Sequence, residues 1–392
     1  MNLRLIKNAD NIENSVLLGR DKILIKEFEK CKYTSFNQVR YFVYDVISNE
    51  KSEILPDMYK LDIFRIVTIL QQDENVYFIQ YDHDEHTSSL VCYNHQTHTA
   101  NILYTFFANL EEYHGNIRIS FFVLNESNLL IQTEKLRRNL SDNYEGYFDF
   151  ELTLYKTKEE KSYVVVDENL VNNGISDIVA LTDHIYAIKT GYSLLEDDRY
   201  RILDKFEVSV ESISVVNIKQ LISDLVISQN GIVMDNIDQA YYKQTIPYIR
   251  VQDGYLIYSK VDNENKEEKV SFYNISDKTM VSCLNKGVVN EKKLAQHLII
   301  SQKPYIRIDK SKKTEFLNLK SKQVDVTIPG YKHVEDVVND IFIISETKKG
   351  LLNKTKNYIS VYKYPAMAIL HSERGKYQGA LYGDDTLYLF SN

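Results

Sequence analysis

One short phrase recurs along this chain of 392 residues: an acidic residue, one or a few spacers, and then an alternating apolar strand rich in aromatics. This repeat constrains the fold more than any other feature, because a strand unit that cannot bury its apolar faces alone must stack on its neighbours. Successive copies begin 38 to 70 residues apart. Six copies begin at Asp21, Asp73, Asp183, Asp253, Asp340 and Asp385, and two looser copies begin near Asn125 and Gln302.

The clearest unit spans about residues 64–106, where four apolar segments alternate with polar turns. This pattern predicts an antiparallel meander of four strands. A single sheet of this kind has two apolar faces, and sheets stacked around an axis would bury both. The same order of strands and turns recurs in residues 13–57, 117–167, 247–284, 297–328 and 334–370.

At the level of fold, the chain therefore resembles the β-propellers, although no signature of a narrower family is present. The resemblance implies an all-β fold of four-stranded antiparallel blades. The count favours eight blades, with seven or six as alternatives if the stretch near 174–246 is divided differently. Residues 375–392 supply only two strands, so we expect the N-terminal LRLI to complete the last sheet and close the ring.

The repeat predicts one propeller domain over residues 1–392, with irregular insertions near 139–147 and 216–246. The second insertion contains apolar residues at helical spacing, which predicts a short amphipathic helix that is packed on the rim or docked to a partner. These residues are Ile218, Leu221, Ile222, Leu225 and Val226.

Composition narrows the class of protein. The net charge is -8 and is spread along the chain, so neither nucleic acid nor a membrane is an expected partner. The three cysteines are few and far apart, and the N-terminus lacks the apolar core of a secretory signal, which predicts a cytoplasmic protein. We expect no cofactor, and the oligomeric state is left open.

Candidate sites for chemistry are few. His83 and His86 form a His-x-x-His pair beside carboxylates, a spacing that can bind a divalent ion, but we interpret them as solvated turn residues and predict no metal site. The recurring aspartates precede strands, which is typical of turn-forming residues rather than of a catalytic ring. Residues 196–198 are acidic as well, and we interpret them as an exposed loop.

Tyrosines in the irregular stretches are the candidate binding residues, because tyrosine is enriched at protein interfaces. Together with the missing catalytic motifs, they favour a non-catalytic protein-binding or scaffolding propeller with a protein partner. The alternative is a propeller hydrolase or lyase that acts on a carbohydrate or small ester at the central channel, and an Asp, His and Arg cluster at one channel mouth would support it. A secreted binder lacking its export signal is a third possibility. The candidate binding residues are Tyr144, Tyr147, Tyr241 and Tyr242.

Overall fold

The structure is a computed structural model, and its strands run from near the first residue of the chain to near the last. The residues that it describes are 2–7, 12–19, 21–30, 37–54, 62–68, 75–82, 87–94, 96–107, 117–125, 127–138, 146–165, 174–191, 211–227, 234–241, 244–262, 264–286, 296–349, 355–383 and 385–392.

The first half of the chain forms a leading strand and four blades. The leading strand is β1 (Asn2–Lys7). Blade 1 contains β2 (Ile12–Gly19), β3 (Lys22–Lys30), β4 (Asn37–Asp45) and β5 (Glu50–Glu53). Blade 2 contains β6 (Asp62–Thr68), β7 (Asn75–Asp82), β8 (Thr87–Asn94) and β9 (Thr99–Phe107). Blade 3 contains β10 (Ile117–Asn125), β11 (Asn128–Arg138), β12 (Gly146–Lys156) and β13 (Lys161–Val165). Blade 4 contains β14 (Ile175–Ala180), β15 (Ile185–Thr190), β16 (Glu211–Asn217), helix α1 (Ile218–Ile227) and β17 (Asp235–Ala240).

The second half forms four more blades. Blade 5 contains β18 (Gln244–Gln252), β19 (Tyr255–Asp262), β20 (Glu267–Asn274) and β21 (Met280–Lys286). Blade 6 contains β22 (His297–Ile300), β23 (Lys303–Lys310), β24 (Lys313–Asn318) and β25 (Val324–Pro329). Blade 7 contains β26 (Lys332–Val338), β27 (Ile341–Lys349), β28 (Thr355–Lys363) and β29 (Ala368–Arg374). Blade 8 contains β30 (Tyr377–Gly383) and β31 (Thr386–Ser391) together with β1.

The prediction of an eight-bladed propeller closed by its two chain ends is confirmed. Blades 1 to 7 each have four strands that pair in chain order and run antiparallel. In the described part of blade 8, β1 pairs with β31, with Leu5 opposite Leu389. This pair runs parallel, unlike the pairs within blades 1 to 7. The first and last strands of the chain thereby cover each other's edges.

The first strand of each blade lies at the centre of the ring. Contacts between blades join β6 to β10, β14 to β18, β26 to β30 and β30 to β2. The fourth strands lie at the rim, where they carry exposed apolar side chains such as Val164 and Leu284. Residues that line the centre therefore come from the first strands, and from the turns that lead to the second strands.

The core is divided into eight layers, one between each pair of adjacent blades, including blades 8 and 1. In β27, successive side chains pack in two different layers of the core. Ile341 and Ile343 pack toward blade 8, while Phe342 and Ile344 pack toward blade 6. Because side chains alternate across a strand, each inner strand must be apolar throughout, as the repeated sequence phrase is.

The predicted amphipathic helix is confirmed as α1, which connects β16 to β17. The described residues of the stretch 216–246 supply the end of β16, the helix α1, the fourth strand of blade 4 and the start of β18. The apolar face of α1, formed by Ile218, Leu221 and Leu225, packs on blades 3 and 4. No helix among the described residues is long and apolar enough to cross a membrane.

Candidate functional site

A cavity of about 670 Å³ opens at the centre of the ring, between blades 5 to 8. This volume falls within the range of small-molecule sites in proteins. The first strands β18, β22, β26 and β30, together with β23, contribute its lining. Its polar lining residues include Arg250, Asp253, Arg307, Glu335, Asp336 and Tyr382.

A β-bulge places two acidic side chains side by side in this cavity. The register of β26 against β27 shifts between Val334 and Asp336, which pair with Ile344 and Ile343. Glu335 is the extra residue, so it and Asp336 both line the cavity instead of alternating across the sheet. Re-aiming a side chain in this way is a recognised use of bulges near functional sites.

Gln252 holds the cavity wall together. Its Nε2 donates to the carbonyl oxygens of Ile299 at 3.2 Å and Val337 at 3.5 Å, and its Oε1 accepts the Ile299 N–H at 3.1 Å. One amide side chain thereby links the first strands of blades 5, 6 and 7.

Asp336 is a carboxylate in a dry setting. Its Oδ1 accepts the Val337 N–H at 2.7 Å and its Oδ2 accepts the Tyr377 hydroxyl at 3.3 Å. Burial raises the pKa of Asp336, although both hydrogen bonds and the nearby Arg250 and Arg307 act in the opposite direction. Burial therefore dominates, and it favours the protonated acid.

Asp253 lies at the end of β18, in the turn to β19. Its backbone has a positive φ of 47°, which aspartate tolerates better than most residues. Burial raises the pKa of Asp253, and the neighbouring Asp340 raises it further. Asp340 is held in place by Ser301 of blade 6, whose backbone N–H and hydroxyl both donate to its carboxylate, the hydroxyl at 2.9 Å.

Arg250 supplies a positive charge to the same cavity. Its Nε and Nη2 are buried and have no hydrogen-bond partner among the described residues. Burial lowers the pKa of Arg250, and Asp336 opposes this shift. Arg307 is better satisfied, because its Nε donates to Asp309 at 3.0 Å. The cavity therefore combines two acids, Asp253 and Asp336, whose pKa values burial raises, with a guanidinium group whose Nε and Nη2 have no acceptor among the described residues.

The two candidate binding tyrosines that the structure describes do not line this cavity. Tyr241 is exposed between β17 and β18, and its hydroxyl donates to Gln239 at 2.7 Å. Tyr147 lies on β12 opposite Arg137. Tyr144, Tyr242, His83 and His86 lie outside the described residues. Binding by these residues stays a prediction. In the described part of the chain, no group of three or more His, Cys, Asp or Glu side chains could hold a metal ion.

The sequence analysis missed the residues of the cavity, although a signal was present. Charged residues interrupt strands that are otherwise apolar: Arg250 in YIRV, Arg307 in YIRI and the acidic pair in VEDVV. A charge inside a strand that is buried on both faces is costly unless that part of the strand faces a cavity. What the sequence could not show is that these three strands converge.

Comparison with known proteins gives matches of structure only. No family model and no curated protein sequence matches the chain. Similar solved structures include Porphyromonas gingivalis dipeptidyl peptidase 4, at 14% identity and a TM-score of 0.48, covering 90% of this chain and 50% of that one. An oligogalacturonate lyase in complex with manganese matches at 10% identity and a TM-score of 0.45, covering 88% and 87%. The β-propeller domain of the trilobed protease from Pyrococcus furiosus matches at 9% identity and a TM-score of 0.43, covering 93% and 94%.

At these identities the likeness shows the fold alone, and the chain spans only 50% to 65% of the length of the similar peptidases. The prediction of a non-catalytic scaffold is nevertheless wrong as the first choice. The similar structures include peptidases and a lyase, which are enzyme classes that the hydrolase or lyase alternative names. Of the expected cluster of Asp, His and Arg, the cavity lining contains Asp and Arg, and no histidine is among its described residues.

Proposed function

We propose that the protein is a hydrolase or lyase that cleaves a carbohydrate in the cavity between blades 5 and 8. One observation carries the proposal: Asp336, a carboxylic acid whose pKa is raised by burial, lines a cavity of ligand size beside other carboxylates. A general acid must still hold its proton at the working pH, and burial is how enzymes keep an aspartate protonated.

The proposed chemistry uses two carboxyl groups. In hydrolysis, protonated Asp336 gives its proton to the glycosidic oxygen as the bond to carbon breaks, while a second carboxylate, for which Glu335 is the candidate, takes a proton from the attacking water. In elimination, the ionised carboxylate takes a proton from a ring carbon, and the Asp336 proton leaves with the departing hydroxyl group. Both routes need an acid and a base in one cavity, which this lining provides.

A carbohydrate fits this lining better than a small ester does. Ester hydrolysis commonly uses a Ser or Cys nucleophile with a histidine base, and the described lining contains no serine, cysteine or histidine. Carboxylates and the amide of Gln252 instead accept and donate hydrogen bonds to hydroxyl groups, and these are the groups that a sugar presents.

The test is the Asp336→Asn variant, assayed on a panel of neutral and acidic oligosaccharides. Reducing ends report hydrolysis, and ultraviolet absorbance of the new double bond reports elimination. We expect turnover by the unaltered protein and a loss of about 10²- to 10⁴-fold in the variant, because proton transfer by a positioned acid contributes that much. Turnover should fall as pH rises through the pKa of Asp336, and that fall should lie above the value of about 4 for an ordinary aspartate.

Asp235→Asn is the matched control, because Asp235 is an exposed aspartate outside the cavity that pairs with Lys278 at 3.4 Å. This variant should keep full turnover. Equal turnover in Asp336→Asn and Asp235→Asn would contradict the proposed role, as would no turnover of any sugar in the panel. A cytoplasmic location and a protein partner stay predictions from the sequence.

A further inference from the structure

Two hydrogen-bond donors of Arg250 that have no partner in the described part of the chain indicate which chemical group the substrate brings to the cavity. A guanidinium group has five N–H donors and no acceptor. In Arg250, Nε and Nη2 are both buried, and neither meets an acceptor among the described residues. Buried polar groups are nearly always hydrogen-bonded, so each unpartnered one calls for an explanation. A ligand in the cavity whose acceptor atoms bind these two donors would be such an explanation.

The nearest carboxylate does not satisfy this arginine. Asp336 affects the pKa of Arg250, so the two charges lie close together. Its Oδ1 is already engaged by the Val337 N–H, however, and its Oδ2 by the Tyr377 hydroxyl. The pKa of Asp336 is also raised, which weakens its negative charge. The positive charge of Arg250 is therefore only partly compensated from within the protein.

We propose that Arg250 binds a carboxylate group of the substrate, so that the sugar cleaved in this cavity is a sugar acid. Only the statement that the ligand is a sugar rests on the proposed function, and the statement that Arg250 binds a carboxylate does not. Arginine is the side chain whose planar fork matches a carboxylate in two parallel hydrogen bonds. Arg307 lines the same cavity and adds a second positive charge.

The other lining residues favour a carboxylate over a phosphate. Asp253, Glu335 and Asp336 all line the cavity. A phosphate monoester carries close to two negative charges at neutral pH, so those of the three acids that are ionised would repel it more than they repel a group with one charge. A carboxylate carries only one charge, while its neighbouring hydroxyl groups can donate to the same acids. A hydroxylated carboxylic acid therefore complements the lining, because its carboxylate matches the arginines and its hydroxyl groups match the acids.

The experiment is calorimetric titration of the whole chain with D-glucuronate and D-glucose, which differ only in the carboxylate, and with glucose 6-phosphate. We expect glucuronate to bind at least about tenfold more tightly than glucose, as charge-assisted hydrogen bonds imply. Arg250→Gln should abolish this preference. Arg250→Lys keeps the charge without the fork and should retain part of it, which also guards against a variant that does not fold. Lys278→Gln, a change to an exposed lysine outside the cavity, should have no effect.

Several results would overturn the proposal: equal binding of glucuronate and glucose, no binding of either, or an unchanged preference in Arg250→Gln. Tighter binding of glucose 6-phosphate that depends on Arg250 would also overturn it and assign a phosphate instead. The outcome is separable from that of the proposed function. Arg250-dependent glucuronate binding without turnover would support the carboxylate site and contradict the enzyme, whereas turnover of neutral sugars without such a preference would do the reverse.

Discussion

Aspartate serves two purposes in this molecule, and the surroundings of each residue decide which. Asp262 lies at an exposed turn, where its Oδ1 accepts the N–H groups of Glu264 and Asn265 at 3.0 and 2.9 Å. Such bonds stabilise the charged form and lower the pKa of Asp262. Asp253 also lies in a turn, but it faces the cavity, and burial raises its pKa. Asp253 was expected to be a turn residue, and of these two aspartates it is the one that lines the cavity.

The raised pKa of Asp253 predicts that Asp253→Asn stabilises the protein at neutral pH. A group whose pKa is higher in the folded state favours folding only while it is protonated, so that contribution disappears as pH rises through the folded pKa. Asparagine has no charge to desolvate, and it tolerates the positive φ at this position. The gain in free energy of unfolding should be near zero below about pH 4 and grow as pH rises. Urea unfolding at a series of pH values measures it.

Asp262→Asn is the control, and its effect should have the opposite sign. Because the folded pKa of Asp262 is lowered, its charge favours folding above the unfolded pKa, and this contribution is lost as pH falls. The variant should therefore be less stable than the unaltered protein at neutral pH and equal to it in acid. If the stability change caused by each variant depended on pH in the same direction, burial would not explain the difference between these two aspartates.

At the scale of elements, the polar residue that ends a strand also builds the turn after it. The third strands of blades 1, 2 and 5 end in Tyr44-Asp45, Tyr93-Asn94 and Tyr273-Asn274. In each pair the second residue accepts backbone N–H groups two and three positions later. The tyrosine before it packs between blades. This pairing was visible in the sequence, because an Asx turn depends only on neighbouring residues.

Asn217 uses the same chemistry to begin α1. Its Oδ1 accepts the N–H groups of Lys219 at 3.0 Å and Gln220 at 3.4 Å, which satisfies two of the free donors at the helix start. Asn217→Ala should therefore destabilise the protein by about 1 kcal/mol. Amide hydrogen exchange in Ile218–Ile227 should speed up as well. Asn217→Ser keeps a capping oxygen and should change little, so equal losses in the two variants would show that the cap is unimportant.

At the scale of the whole molecule, ring closure depends on six residues at the N-terminus. Ile6 on β1 is 4% exposed and packs with Ile23 and Ile25 of blade 1 and with Tyr388 and Phe390 of blade 8. It therefore packs in the layer between the first and last blades, next to the β1–β31 pair that closes the ring. The loss of this layer would expose apolar faces on both sides.

Ile6→Ala should lower the free energy of unfolding by about 2–5 kcal/mol, the usual cost of truncating a buried isoleucine. Hydrogen exchange of the β31 amides should increase, because β1 covers that strand. Arg4→Ala changes an exposed residue of the same strand and should alter stability by less than about 0.5 kcal/mol. If the two variants lose equal stability in urea, β1 does not hold the ring closed.

The sequence by itself determined the strands outside residues 174–246, the helix and the turn residues, and it favoured eight blades and the closing strand. Apart from the closing strand, which joins the two chain ends, these depend on patterns within about 50 residues, and an unbroken apolar run such as that in β27 records that both faces are buried. Only the tertiary structure decided which charges share a cavity. Arg250, Arg307 and Asp336 come from three blades and up to 86 residues apart, and Glu335 reaches the cavity through a bulge. The shifted pKa values of Arg250 and Asp336, and the donors of Arg250 that lack an acceptor among the residues described, arise from burial and from proximity in space. Neither burial nor proximity between distant residues can be read from the order of residues in the chain.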